Sequence, residues 1–294
     1  MGRQLTWISG TGSVGGSTST VLTDSGAGFT VFTGVKGLDV PEVEYVTIQL
    51  PGIDGAPVTD VYASPRTVLM PMKISGATRG EFLDRKRAFE LALDPLVAGQ
   101  LELMQSDGRR FRLNARYLGG LEGSEEVGEG GDTTWCRFVL KLYVEDPWWY
   151  AVDPITIPFN FTTPTTFFPF FPLTLDSNQV LGNTTVNNPG TVPSWPTWTA
   201  TAPGSGLTLT NTATGDEVEF SGSIPSGRTL TIVTEPGEQS VKLDDGTDWW
   251  PNLVGNPVFW KIPPLSTPIS LVLTGAGAGS SVGLSWLPRF RSPS

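Results

Sequence analysis

The first half of the chain contains two segments in which apolar residues occupy every second position. In residues 111–117 they alternate with Arg and Asn, and in residues 136–144 Cys, Phe, Leu and Val occupy the even-numbered positions. A period of two residues is typical of an antiparallel strand with one buried face. We predict strands in these two segments, and further strands at residues 43–50 and 68–74.

One helix is predicted in the first half, from about Thr78 to Asp94. Thr78 and Glu81 have the spacing of a capping box, in which each side chain binds a backbone N–H group of the first turn. Pro95 ends the helix because it pushes Asp94 out of the α region. At about 100° per residue, one helix face collects the apolar side chains. These are Phe82, Phe89, Ala92 and Leu93. We expect this face to lie on the predicted sheet.

Two Gly-rich segments separate these elements. Residues 119–131 predict a flexible, acidic hairpin loop, and residues 9–37 are rich in Gly, Ser and Thr. Such loops are usually solvated connections, but they can also be arms that become ordered against a neighbouring subunit. The sequence leaves both interpretations open.

The second half of the chain consists of short β-prone runs separated by turn residues. The runs begin near residues 195, 207, 217, 229, 239, 258, 268 and 282, and most intervals are 11–13 residues. That spacing is typical of an all-β sandwich. We therefore predict a jelly-roll-like second domain.

A segment rich in Phe and Pro divides the two halves. Residues 154–175 carry no charge and contain five prolines and six of the fifteen phenylalanines. So many prolines prevent a membrane-spanning helix, and we expect neither membrane insertion nor a secretory signal. The predicted organisation is a β domain with one helix at 1–152, an extended aromatic connector at 153–175 and a β-sandwich at 176–294.

Composition limits the chemistry that the chain can perform. Charged residues make up 16% and aromatic residues 10%, which fits neither a helical bundle nor a disordered chain. The chain has no histidine, so it lacks the usual general base and the commonest metal ligand. Cys136 is the only cysteine, which excludes an internal disulfide and a cysteine zinc site. We expect no enzyme activity, catalytic residue, metal or cofactor. The net charge of −10 gives no bulk attraction to nucleic acid or anionic membranes.

Three motifs favour a structural interpretation over a functional one. Residues 10–15 match G-x-G-x-x-G, but the Gly/Ser/Thr run after them cannot begin the helix that a dinucleotide site requires. Residues 244–248 predict a tight β-turn, because they lack the ligand spacing of a calcium loop. Glu217 and Glu219 share one strand face, where exposed surface positions are favoured over a glycosidase pair.

Aromatic residues are the strongest candidates for binding. Exposed tryptophans on a sandwich can stack on sugar rings, although tryptophans that fill the core are commoner. The candidate glycan contacts are Trp249, Trp250 and Trp260. Alternation predicts that Trp249 and Trp250 point to opposite sides. The aromatic run 148–150 either clamps the connector against the first sheet or contacts a partner chain.

The order of these parts resembles the distal tail proteins of long-tailed phages with non-contractile tails, and the resemblance covers the chain nearly end to end. In the first domain it rests on the capped helix with Phe82 and Phe89, the acidic loop, and the motifs LPGIDG (50–55), DGR (107–109), FVLKL (138–142) and DPWW (146–149). In the second domain it rests on NPGT (188–191), NTATG (211–215), FWKIPP (259–264) and the last strand through Trp286. The Gly, Trp and Pro content is similar to that of versions from phages of high-GC Gram-positive hosts. The connector at 159–171 is longer than the family pattern.

The resemblance implies a mainly β fold. It comprises an N-terminal β-sandwich or split barrel with one helix, which forms a ring that is usually hexameric, and a C-terminal galectin-like (jelly-roll) sandwich. It also implies a structural role at the distal end of the virion tail. The implied partners are further copies of the chain, the tail tube protein, the tail tip hub protein, and fibres or receptor-binding proteins.

Two other functions remain open at this point. The chain could be a carbohydrate-binding tail-tip protein that contacts host cell-surface glycan through its C-terminal sandwich. A glycan-cleaving depolymerase is less favoured, because no carboxylate pair stands out in the sequence.

Overall fold

The computed structural model describes residues 3–13, 16–52, 54–125, 131–161 and 179–294. The chain divides into two compact units, Met1–Val152 with Phe290–Ser294, and Asp153–Arg289. The described fold is mainly β with one α-helix, which confirms the predicted fold class.

In the longest strands of the first unit, buried side chains alternate with side chains that face outward. They are β1 (Gln4–Ile8), β2 (Ser19–Val21), β3 (Phe29–Val31), β4 (Val43–Thr47), β5 (Val58–Ala63), β6 (Arg66–Ser75), β7 (Gly99–Met104), β8 (Arg110–Gly119), β9 (Gly131–Asp132), β10 (Trp135–Val144) and β11 (Trp149–Ala151). The helix α1 (Arg79–Ala92) lies between β6 and β7.

One large sheet forms most of the first unit. Its strand order is β2-β1-β7-β8-β10-β6-β3, with β9 beside β10 and β11 beside β8. The predicted strands at 111–117, 136–144 and 68–74 are β8, β10 and β6, and their alternating burial is confirmed. The longest register joins β10 to β6 over ten residue pairs, from Trp135 opposite Ser75 to Val144 opposite Arg66.

The helix begins as predicted. The Thr78 hydroxyl accepts a hydrogen bond from the Glu81 N–H at 3.2 Å, and the Glu81 carboxylate accepts from Ala77 N–H at 2.7 Å. The buried face contains Phe82, Phe89 and Ala92, and the buried Leu93 is the C-cap. The helix therefore packs on the sheet through the expected face.

Two expectations for the first unit are wrong. Residues 9–37 are more than a solvated connection, because β2 and β3 lie within them and Leu22 and Phe29 belong to the core. The strand predicted at 43–50 is shorter, and it does not join the sheet under the helix. It pairs as β4 with β5 alone, because both of its faces lack a buried row.

The second unit is built from two sheets around a common core. Its strands are β12 (Ile155–Asn160), β13 (Gln179–Asn188), β14 (Thr197–Thr201), β15 (Gly204–Asn211), β16 (Glu217–Ile224), β17 (Thr229–Val233), β18 (Ser240–Leu243), β19 (Leu265–Thr274) and β20 (Ser281–Trp286). The chain then returns to the first unit, where a last short strand, β21 (Arg289–Phe290), belongs to the large sheet beside β11. One sheet has the order β12-β20-β14-β17-β18 and the other β13-β19-β15-β16. This arrangement agrees with the predicted sandwich.

Sequence reasoning missed some strands of the second unit. β12 lies inside the predicted aromatic connector, and β13 contains too many Asn and Thr residues to give an apolar signal. The run near 258 is an extended segment beside β16, where the Val258 N–H donates to the Glu217 carbonyl. Its flanking prolines limit regular pairing. Residues 162–175 of the predicted connector, and the first three residues of the predicted sandwich (176–178), lie outside the described residues.

Candidate assembly surface

A two-stranded ribbon, residues 42–63, extends from the first unit. Its strands β4 and β5 pair antiparallel with each other and with no other described strand. Every described residue from 42 to 62 is exposed, and Ile53 in its turn lies outside the described residues. An isolated hairpin is marginally stable in water, so a second surface would stabilise this one.

The two faces of the ribbon differ in chemistry. The uncharged face carries Val43, Tyr45, Thr47, Val58, Val61 and Ala63. At its centre Tyr45 lies opposite Val61, and these side chains are 62% and 49% exposed. Contiguous apolar surface of this kind marks an interaction site.

The other face of the ribbon is acidic. Glu44 lies opposite Tyr62, and Asp60 lies opposite Val46, so both carboxylates share this face. Ser64 Oγ donates to Glu44 at 2.9 Å. A hydrogen bond to the Glu44 carboxylate also raises the pKa of the Tyr62 hydroxyl. These donors hold Glu44 in place on the exposed face.

The charge of the ribbon has one sign throughout. Residues 37–65 contain no Lys or Arg. Their five carboxylates are those of Asp39, Glu42, Glu44, Asp54 and Asp60. The segment was recognisable from the sequence by this charge bias and by the Val- and Tyr-rich runs on either side of a Pro-Gly turn.

A buried arginine holds the root of the ribbon, which is the segment 37–41 just before it. The Arg66 guanidinium is 6% exposed and donates through Nη1 to the carbonyls of Gly37 at 3.2 Å and Asp39 at 2.5 Å. Its Nη2 donates to the carbonyls of Pro147 and Arg291, the latter at 3.4 Å. Desolvation by burial lowers the pKa of Arg66 to about 10. The arginine remains charged near neutral pH and joins three segments of the first unit.

A tryptophan fixes the residue before the ribbon. Trp149 is fully buried in the core of the first unit, and its Nε1 donates to the Leu38 carbonyl at 2.8 Å. The run 148–150 was expected to clamp the connector or to contact a partner chain. Trp149, the central residue of this run, supports the root of the ribbon from inside its own unit.

The outer face of β6 and β10 is basic and aromatic. Across this face Arg137 lies opposite Lys73, and Lys141 lies opposite Leu69, which also bridges to Lys36. None of the four cations has an ion-pair partner among the residues that the structure describes. This face therefore has a sign opposite to that of the ribbon.

Aromatic rings support the two central cations of this face. Lys73 Nζ lies 5.0 Å from the centroid of Trp135. The guanidinium of Arg137 lies 5.1 Å from the ring of Phe32 and 5.3 Å from that of Trp135. Cation–π contacts of this kind hold charged groups over a ring while leaving them open to a ligand.

The described part of the acidic loop is attached to the helix. Glu125 accepts from Arg79 and from Lys86, each at 2.6 Å. Both contacts lower the pKa of Glu125, and the contact with Glu125 raises the pKa of Lys86. Residues 126–130 of the predicted loop lie outside the described part of the chain.

The three tryptophans predicted as glycan contacts differ in exposure. Trp249 and Trp260 are 8% and 5% exposed and belong to the core of the second unit. Trp250 is 41% exposed and lies 5.7 Å from the ring of Phe259. The opposite orientation of Trp249 and Trp250 agrees with the prediction, although Trp250 lies in a 3₁₀ turn (Trp250–Asn252) and not in a strand. Of the three, only Trp250 presents a ring to solvent.

The other sequence motifs have the structural roles that were favoured for them. The G-x-G-x-x-G segment connects β1 to β2, which pair as a hairpin, and residues 14 and 15 lie outside the description. In the turn 244–248, Gly246 has a φ of 86° and Asp245 accepts from Thr247 N–H at 2.9 Å. Contacts with Thr247 and then Arg228 lower the pKa of Asp245. Glu217 and Glu219 are exposed on β16.

The described residues contain no cluster of three or more His, Cys, Asp or Glu side chains arranged to hold a metal ion. No helix among them has the length and apolar character needed to cross a membrane.

No family model and no curated protein matches the chain. Solved phage structures share its fold. The SPP1 Dit protein (gp 19.1), described as a paradigm of the hub adsorption apparatus in phages that infect Gram-positive bacteria, is 16% identical with a TM-score of 0.64, over 99% of this chain and 100% of that one. A chain of the phage P2 baseplate in its activated, calcium-containing conformation is 9% identical with a TM-score of 0.57, over 98% of each chain. The strontium form gives 10% identity and a TM-score of 0.52, over 97% of each chain. The chain therefore shares the fold of these phage proteins along nearly its whole length.

Proposed function

We propose that this protein is a structural component of a phage tail tip, and that it forms a closed ring between the tail tube and the baseplate or tip hub. The observation that carries the proposal is the ribbon. It exposes an apolar face and an acidic face at once, and a lone hairpin of this composition gains stability only by docking on another surface. The fold shared with the SPP1 Dit protein and the P2 baseplate chain supports the same role.

The ribbon also favours a ring over a two-fold dimer. An element that docks on a different surface of the next copy makes a head-to-tail contact, and such contacts close into rings when the rotation allows it. We propose six copies, at the distal end of the virion tail of a phage with a long, non-contractile tail and a high-GC Gram-positive host. The order of the sequence motifs supports the copy number and the tail type, and the Gly, Trp and Pro content supports the host type.

The proposed partners follow from this position. The ring would contact the tail tube protein on one side and the tip hub protein on the other. The second unit, which we propose to be galectin-like, would provide an attachment platform for fibres or receptor-binding proteins. The proposed role is structural, without enzyme activity, and involves no specific recognition of nucleic acid.

Glycan binding by the second unit is the alternative function. The exposed Trp250, with Phe259 beside it, is the observation that favours it. Titration of the full chain with host cell-wall glycan fragments would test it by tryptophan fluorescence, with Trp250→Ala as the matched variant. Saturable binding that Trp250→Ala abolishes would support this function, and no binding at millimolar glycan would exclude it.

Light scattering of the purified full chain, with negative-stain images of each peak, tests the ring proposal. The expected result is a closed ring of six copies that assembles as the concentration rises. A monomer at every concentration, both alone and with the tail tube protein added, would overturn the proposal.

A further inference from the structure

Two neighbouring cations on the outer face of β6 and β10 have no ion-pair partner within the described ranges of the chain. Arg137 lies directly opposite Lys73 in the antiparallel register. Like charges at this position repel each other, because their side chains are about 5 Å apart. The outward positions of both strands carry no carboxylate; they are Thr67, Leu69, Pro71, Lys73 and Ser75 on β6, and Trp135, Arg137, Val139, Lys141 and Tyr143 on β10. An anionic partner would relieve this repulsion.

The ribbon offers anionic groups in a matching pattern. Glu44 lies opposite Tyr62, two residues from Asp60, so the two acidic residues are diagonal neighbours with Cα atoms about 7–8 Å apart. Val46 and Tyr62 complete the acidic face with uncharged side chains. The basic face has a similar composition, since Val139 lies between Arg137 and Lys141, Tyr143 follows Lys141, and the two side chains are 42% and 36% exposed. Opposite charges and interleaved apolar groups make the two faces complementary.

We propose that the acidic face of the ribbon docks on the outer face of β6 and β10 of a second copy, with Glu44 and Asp60 against the Lys73–Arg137 pair. Lys36 and Lys141 extend the same positive surface. The ribbon and this face are different parts of one chain, so the contact is head-to-tail and repeats around a ring. The inference rests on the proposed ring and names the surfaces that close it.

Charge reversal tests this pairing. Glu44→Lys with Asp60→Lys reverses the charge of the acidic face of the ribbon. Lys73→Glu with Arg137→Glu reverses the charge of the basic face of β6 and β10. Each double variant should raise the concentration needed for assembly by at least about tenfold, because it places like charges in contact. Glu217→Lys with Glu219→Lys, at exposed positions of the second unit, is the matched control and should assemble as the wild type does.

Recombining the variants makes the test specific. All four substitutions in one chain should restore assembly. A mixture of the two double variants should also assemble, because each ribbon then meets a face of opposite charge. Far-UV circular dichroism and thermal unfolding of each variant show that the chains are folded.

Three outcomes would overturn the inference. In the first, rings form equally well from the wild type and both charge-reversed variants; the ring proposal is then supported and the proposed contact is wrong. In the second, the reversed variants fail to assemble and recombination does not restore them. In the third, Lys73→Glu with Arg137→Glu leaves assembly unchanged but abolishes binding of a short DNA duplex, which would assign the basic face to nucleic acid. A wild-type chain that never assembles contradicts the ring itself.

Discussion

Trp149 Nε1 donates a hydrogen bond to the Leu38 carbonyl oxygen across 2.8 Å, in the core of the first unit. Leu38 lies four residues before the ribbon begins and is buried, whereas every described residue from 42 to 62 is exposed. The bond fixes the starting point of an element that has no other described strand beside it. A rigid root limits the directions in which the ribbon can point, which lowers the entropy lost when it docks.

Replacement of Trp149 by Phe should therefore loosen the root of the ribbon. The ring still fills the core, but the Leu38 carbonyl loses its donor, at a cost of about 1 kcal/mol. Hydrogen exchange at residues 37–42 should accelerate, and the urea midpoint should fall. Trp148→Phe, at a half-buried neighbouring position, is the control. Unchanged exchange at the root in Trp149→Phe would contradict this role.

The Arg66 guanidinium should contribute more to stability than the Trp149–Leu38 hydrogen bond does. Arg66→Met removes the donors to several carbonyls, and we expect a loss of roughly 2–4 kcal/mol in the free energy of unfolding. Arg66→Lys keeps the charge but not the planar fork, so it should recover only part of the loss. Urea unfolding of the three full-length proteins measures both effects. Equal stability of wild type and Arg66→Met would show that the guanidinium network is dispensable.

The contact between Glu125 and the helix predicts a pH dependence. The pKa of Glu125 lies below its ordinary value because Lys86 and Arg79 bind the carboxylate. A lowered folded-state pKa contributes stability that is present above the unfolded pKa, about 4.3, and is lost as the pH falls through the folded-state pKa. Glu125→Gln should therefore lower the thermal midpoint at pH 7 and make no difference near pH 2.

The matched control for this pH dependence is Glu145→Gln. Glu145 pairs with Arg116 at 2.8 Å, but its side chain is 64% exposed, so solvent screens the pair and the effect should be small at any pH. A Glu125→Gln effect that is the same at pH 2 and pH 7 would show that the contribution does not come from the ionised carboxylate.

Cys136 should be unreactive in the folded chain. It is fully buried on β10, and desolvation raises the pKa of its thiol. Because the thiolate is the reactive form, alkylation by iodoacetamide at pH 8 should be at least about a hundredfold slower than in urea. Mass spectrometry of timed samples measures the rate. Rapid native alkylation would mean that the β6–β10 part of the sheet opens readily.

The sequence predicted the parts of the fold in which burial leaves a pattern. β8 and β10 alternate because one face of each packs in the core, and α1 begins at Thr78 because a hydroxyl and a carboxylate cap it. The ribbon was predicted only as one more sheet strand. Its Val and Tyr residues are typical of a buried strand, whereas they are exposed in the described part of the chain. The basic face was not predicted either, since the register of two strands distant in sequence brings Lys73 and Arg137 together.

Sedimentation velocity of the wild type beside Val46→Thr/Tyr62→Thr, two apolar positions on the acidic face of the ribbon, tests the central claim, that docking of the ribbon closes the ring. Threonine keeps the strand propensity but removes the apolar area. Val258→Thr, at a position 45% exposed in the second unit, is the control. We predict six-copy particles for wild type and control, and a folded monomer for the double variant. Six-copy particles in all three, or in none, would contradict the account.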